Sequence, residues 1–146
     1  MPSPRRSEYE AIEATISDVR ALVRARSYHS AALRMGELRR NLERHLDLED
    51  HLVAIFVDRT GDPGGLTVRL RAEHHEIPAH LEAACTAVSD WDGSKALRLL
   101  DALSGALEAH RVTEARLVHP ALEDLLPGEP DWDALRGKLL TPIDRG

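Results

Sequence analysis

Two segments of this 146-residue chain carry the same pairing, a histidine followed four residues later by a glutamate: His45–Glu49 and His110–Glu114. On an α-helix, residues i and i+4 share a face one turn apart. Each segment would therefore aim an imidazole nitrogen and a carboxylate at one point. A further histidine, His74, lies between them in the sequence. Two carboxylates on facing helices can bridge two cations, with imidazoles as terminal ligands. That donor set suits iron or manganese better than a closed structural zinc site.

Such chemistry needs elements that bring the pairs together, and the apolar periodicity supplies four. The first segment is expected over residues 7–26, with Ser7 and Glu10 as a capping box and a stripe of Ile12, Ile16, Val19 and Val23. A hinge at 27–30 leads to a second helix over 31–58, with the stripe Met35, Leu38, Leu42, His45, Glu49, Leu52, Phe56. The Gly/Pro-rich loop 59–65 ends it. The third helix is expected over 66–89 with the stripe Leu70, His74, Ile77, Leu81, Ala84, Val88; Pro78 predicts a kink or bulge within it. The fourth, over 95–126 with Ser94 as N-cap, carries Leu100, Leu103, Leu107, His110, Glu114, Leu117 and Ala121. Residues 127–130 close it, and Trp132, Leu135 and Leu139 of the tail are expected to pack back on the bundle. Short connections between such helices favour an all-α, antiparallel up-down-up-down four-helix bundle. It would be one domain spanning 1–146, with a core of about 7–126 and a tail of 127–146.

His45, Glu49, His74, His110 and Glu114 stand on stripes that should be apolar. A buried carboxylate is costly unless paired or coordinated. No Lys or Arg shares these stripes near that layer, so a metal cation is the economical partner. Their heights agree. His45 and Glu49 lie roughly ten residues before the end of the second helix, His74 roughly nine after the start of the third, and His110 and Glu114 roughly twelve to sixteen before the end of the fourth, which at ~1.5 Å per residue is one layer. The same count puts residues 8–13 of the first helix beside it, offering Glu8, Tyr9, Glu10 and Glu13 but no histidine. The plain reading of Tyr9 is a core residue near the bundle end, and of Glu10 and Glu13 solvated or capping groups; the alternative is that a Glu or Tyr of the first helix completes the metal shell. His75, His51, His119 and His29 read as surface, and Cys85 as a small core residue.

The net charge of −6 argues against a nucleic-acid partner. One cysteine excludes an internal disulfide. The start, MPSPRRSEYE, leads into an amphipathic stretch, and no apolar run suggests a signal peptide or a membrane span. A reducing cytoplasm is the expected setting.

The segments LERHLDLEDHL, RAEHHEIPAHL and LEAHRVTEARLVHPAL resemble the hemerythrin-like, or HHE cation-binding, family over roughly residues 7–126. The resemblance implies a non-haem di-iron centre inside the bundle. His45 and His110 would be terminal ligands, Glu49 and Glu114 bridging carboxylates, and His74 the ligand from the third helix. The family usually supplies a histidine from the first helix, absent here. Oxygen-carrying members have two histidines one turn apart in the third helix, where this chain has Pro78 after His74. His80, six residues on, would join the metal ligands only if Pro78 distorts the helix. The resemblance implies a metal-binding protein whose two iron ions bind or sense dioxygen or a related small ligand. The alternatives are a di-iron enzyme consuming peroxide or nitric oxide, and a degenerate bundle acting as an interaction or regulatory module. The expected partners are metal ions and a small diatomic or peroxide ligand.

Overall fold

The architecture is that of a computed structural model describing residues 4–62 and 65–120, with residues 4–8 described as backbone only. Four helices follow one another: α1 (Pro4–Arg24), α2 (Tyr28–Thr60), α3 (Leu66–Ser89) and α4 (Gly93–Thr113), the last continuing into a π-turn, Glu114–Val118. Among the described residues there is no strand. The expected stretches beyond residue 120, with Ala121, Trp132, Leu135 and Leu139, lie outside the described residues.

The helix ends explain the topology. α1 and α3 stop in the same way. Ser27 N–H donates to Leu22 O and Arg26 N–H to Val23 O, with Arg26 at φ 59°. Asp92 N–H donates to Ala87 O and Trp91 N–H to Val88 O, with Trp91 at φ 59°. Both are Schellman closures with a left-handed residue one past the cap. The two turns lie together at one end, where the Tyr28 and Trp91 rings stack with centroids 5.5 Å apart. α2 ends at the opposite end on Gly61, whose φ of 79° suits a residue without Cβ and whose N–H donates to Val57 O. Each helix packs on its sequence neighbour, and α1 closes the ring against α4. That is the expected antiparallel bundle.

Several expected boundaries are corrected. Ser7 lies within α1, which is already helical at Pro4, so Ser7 does not stand at the N-cap position. The hinge at 27–30 shrinks, because Tyr28, His29 and Ser30 already belong to α2. Asp92, not Ser94, caps α4: its Oδ1 accepts from Lys95 N–H at 3.2 Å. The expected bulge at Pro78 is also displaced. α3 runs as α-helix through Pro78, which is exposed. The widened turn is instead in α4, where His119 N–H donates to Glu114 O, five residues back. Pro120 gives the physical reason. Its ring would crowd the carbonyl of residue 116, and a wider turn just before it relieves that contact. The π-turn also shifts the stripe, so that Val118 is buried and Leu117 is 36% exposed.

The stripes otherwise hold. Ile12, Ile16, Val19 and Val23 of α1 meet Met35, Leu38 and Leu42 of α2, Leu81 and Ala84 of α3, and Leu100, Leu103 and Leu107 of α4 in one apolar cluster. Each such side chain contributes about 1.5–3 kcal/mol on full burial. α2 has 33 residues against 21 in α1. At ~1.5 Å per residue it outruns α1 by several turns. That extension forms a second apolar cluster, in which Leu48, Leu52, Val53 and Phe56 pack on Leu66, Leu70 and Val118. The buried polar residues of α2 and α4 stand where the two clusters meet along these helices, so they form a polar layer with apolar packing on either side.

Candidate metal centre

His45 and Glu49 of α2 and His110 and Glu114 at the end of α4 are all buried, and each offers a ligand atom within 4.8 Å of the other three. Each pair stays one α-turn apart because the π-turn begins only at Glu114. Glu49 is the hub. Its Oε1 lies 2.8 Å from His74 Nε2 on α3 and 2.9 Å from His110 Nε2 on α4. His45 Nε2 lies 3.1 Å from Glu114 Oε2. Ligands of a single ion with bonds of ~2.0–2.2 Å stand about 3 Å apart.

The imidazoles are aimed by carboxylates behind them. His110 Nδ1–H donates to Glu73 Oε1 at 2.6 Å, and Thr113 Oγ1 donates to the other oxygen of Glu73 at 2.6 Å. His74 Nδ1–H donates to Asp50 Oδ1 at 2.7 Å. With Nδ1 held by a carboxylate, the Nε2 of each ring faces the cluster, an arrangement typical of metal-bound histidine. Glu73 appeared in the sequence only as the neighbour of His74, and its role could not be read there. A carboxylate one residue from a ligand sits about 100° round the helix, and only the position of α4 shows that it meets His110.

Replacing Glu73 by alanine is therefore expected to weaken metal binding by about 10- to 100-fold, since His110 would lose its orienting partner. Competition titration against a chelator measures this; unchanged affinity would mean that Glu73 does not position His110.

The electrostatics point the same way. Burial pushes the Glu49 carboxyl up, but its contacts with Glu114, His110 and His74 outweigh burial and hold it well below the usual range. Glu114 is raised from 4.5 to about 7 by burial and by Glu49 beside it. For His110, burial works downward, but Glu49, Glu114 and Glu73 together lift it from 6.5 to about 9. Two buried polar atoms, Glu49 Oε2 and His110 Nε2, have no partner in hydrogen-bonding geometry among the described residues. Orphaned buried groups are rare in folded proteins. A cation among these four side chains would satisfy both, so the donor set fits a metal.

The chain belongs to the hemerythrin HHE cation-binding domain family, whose model matches residues 6–122. No curated protein and no solved structure matches it. Among the described residues, no helix of this hemerythrin-family chain is long and apolar enough to cross a membrane.

The remaining sequence expectations divide. His74 lies against Glu49, outside the group of four. His80 is not brought to the cluster: α3 is not broken at Pro78, and His80 Nε2 lies 3.4 Å from Glu76 Oε1 on the same helix face. His75, His51 and His29 are exposed, whereas His119 is half-buried. Cys85 is half-buried against the apolar cluster. Glu10 is exposed and Glu13 half-buried. Tyr9 is a buried member of the apolar core, as its plain reading has it, and in addition its hydroxyl donates to Glu114 Oε1 and lies 3.2 Å from His45 Nε2. A cleft of about 680 Å³ between α2 and α3, lined by Asp50, Val53, Val57, Leu70, His74 and His75, reaches the cluster from solvent through His74.

Proposed function

We propose that this protein holds a non-haem centre of two iron ions, ligated by His45, Glu49, His74, His110 and Glu114, and binds or senses dioxygen or a related small ligand. The observation that carries the reading is Glu49, a buried carboxylate approached by imidazoles from two other helices and facing a second buried carboxylate. When bound, iron would supply reversible one-electron chemistry and an open position for a small ligand. The chain's own residues do the rest. Glu49 and Glu114 neutralise the cations, Glu73 and Asp50 orient the rings of His110 and His74, and the flanking apolar clusters exclude bulk water. An optical titration tests the reading: reduced, iron-loaded protein should change its spectrum on aeration, and an unchanged spectrum would reject ligand binding.

A second reading, an enzyme that consumes peroxide or nitric oxide, is favoured by one observation. Three imidazoles reach the carboxylates, and the cleft beside His74 opens that side to solvent. Fewer protein ligands leave positions for a substrate. Steady-state rates of the iron-loaded protein no better than those of free iron would exclude it.

A further inference from the structure

We infer that Tyr9 is a metal ligand, its phenolate oxygen taking the place that α1 must fill; the inference rests on the iron centre proposed above. α1 carries no histidine, yet it packs on both α2 and α4, the two helices that supply the His-x-x-x-Glu pairs. Among the described residues of α1, Tyr9 reaches the cluster. Its oxygen touches two of the donor groups at once, Glu114 through a hydrogen bond and His45 Nε2 at 3.2 Å. The separation from His45 Nε2 matches the ~3 Å expected between neighbouring ligands on one ion with bonds of ~2.0–2.2 Å. A cation held by His45 Nε2 and Glu114 is therefore within bonding reach of the Tyr9 oxygen with little movement.

The ring is held for this. Tyr9 is 4% exposed. It meets the His45 ring edge-on, with centroids 5.1 Å apart at 68°, and the Arg111 guanidinium lies 5.0 Å over its face. Arg111 also places a positive charge over the face of a ring that becomes a phenolate on ligation. The hydroxyl proton leaves as the cation arrives, as it does when other protein ligands bind metals. An anionic oxygen donor favours the more highly charged ion, so Tyr9 would stabilise ferric over ferrous iron. That places the protein nearer to sensing or turnover than to reversible oxygen carriage.

The test is the visible and resonance Raman spectrum of the full chain loaded with ferric iron, with iron content measured alongside. The wild type should show a phenolate-to-iron charge-transfer band with enhanced phenolate ring modes. Tyr9→Phe should lose both while keeping its iron. Tyr28→Phe should keep both, because Tyr28 stacks on Trp91 at the end of the bundle where α1 meets α2. An iron-loaded wild type without the band, or a band that survives Tyr9→Phe, overturns the Tyr9 ligand and leaves the iron centre standing. A wild type that takes up no iron overturns both. If Tyr9→Phe does not fold, Tyr28→Phe still decides, since the chain has two tyrosines: a band that persists in it comes from Tyr9, and a band that vanishes rejects Tyr9.

Discussion

Replacing Glu49 by alanine should abolish metal uptake while leaving the helical content of the bundle in place. Glu49 is the one carboxylate approached by imidazoles from both α3 and α4. Without it His74 and His110 lose their common target, and Glu114 alone cannot neutralise two cations. Changing a group that merely supports a ligand costs about 10- to 100-fold in affinity. Loss of the shared ligand should exceed that, and the protein should be purified with a metal stoichiometry near zero. The helices should survive because the apolar clusters on either side do not include Glu49. Glu49→Gln is the sharper variant. It keeps the volume and an acceptor oxygen but removes the charge, so uptake should fall nearly as far with less cost to folding. Metal analysis and far-ultraviolet circular dichroism together decide it. A Glu49→Gln protein with wild-type metal content would refute the central place given to this residue.

Metal removal should reverse the dependence of stability on pH. In protein stripped by a chelator, His110 is raised from 6.5 to about 9 and Glu114 from 4.5 to about 7. For both, the fold favours the protonated form. Their contribution to stability is full below the ordinary values and is lost as pH rises, through about 7 for Glu114 and then through about 9 for His110. Glu49 acts with the opposite sign. Held well below its usual range, it contributes above 4.5 and is lost in acid, outside this window. The stripped protein should therefore lose stability steadily from weakly acidic to weakly alkaline pH. The loaded protein should not, because a cation must displace the protons on His110 and Glu114, and that becomes easier as pH rises. The gain in Tm on adding metal should widen across the window. A gain that is flat or narrows with pH would mean that these two groups are not the ones the metal deprotonates.

Much of the fold was legible because the period of apolar residues is a local property. Ile12, Ile16, Val19 and Val23 mark one face of α1 whatever surrounds it, and all four are buried. α3 begins and ends at Leu66 and Ser89 as expected, since Gly and Pro before it and the DWDG turn after it act on the chain locally. The capping assignments fared worse. Ser7 and Ser94 carry suitable side chains, but residues a few positions earlier can start the helix as well, and the competition among them is won by fractions of a kcal/mol.

The sequence alone determined that two His-x-x-x-Glu pairs would each present their groups on one helical face, because a helix places i and i+4 together without help from any neighbour. It also determined that these groups would be buried, because they stand on stripes that the bundle must cover. Only the tertiary structure decided which of them meet, because contacts between helices depend on axial register and rotation, which no single helix encodes. Hence Glu73 behind His110 and Tyr9 against Glu114 became visible only once α1, α3 and α4 were set beside α2.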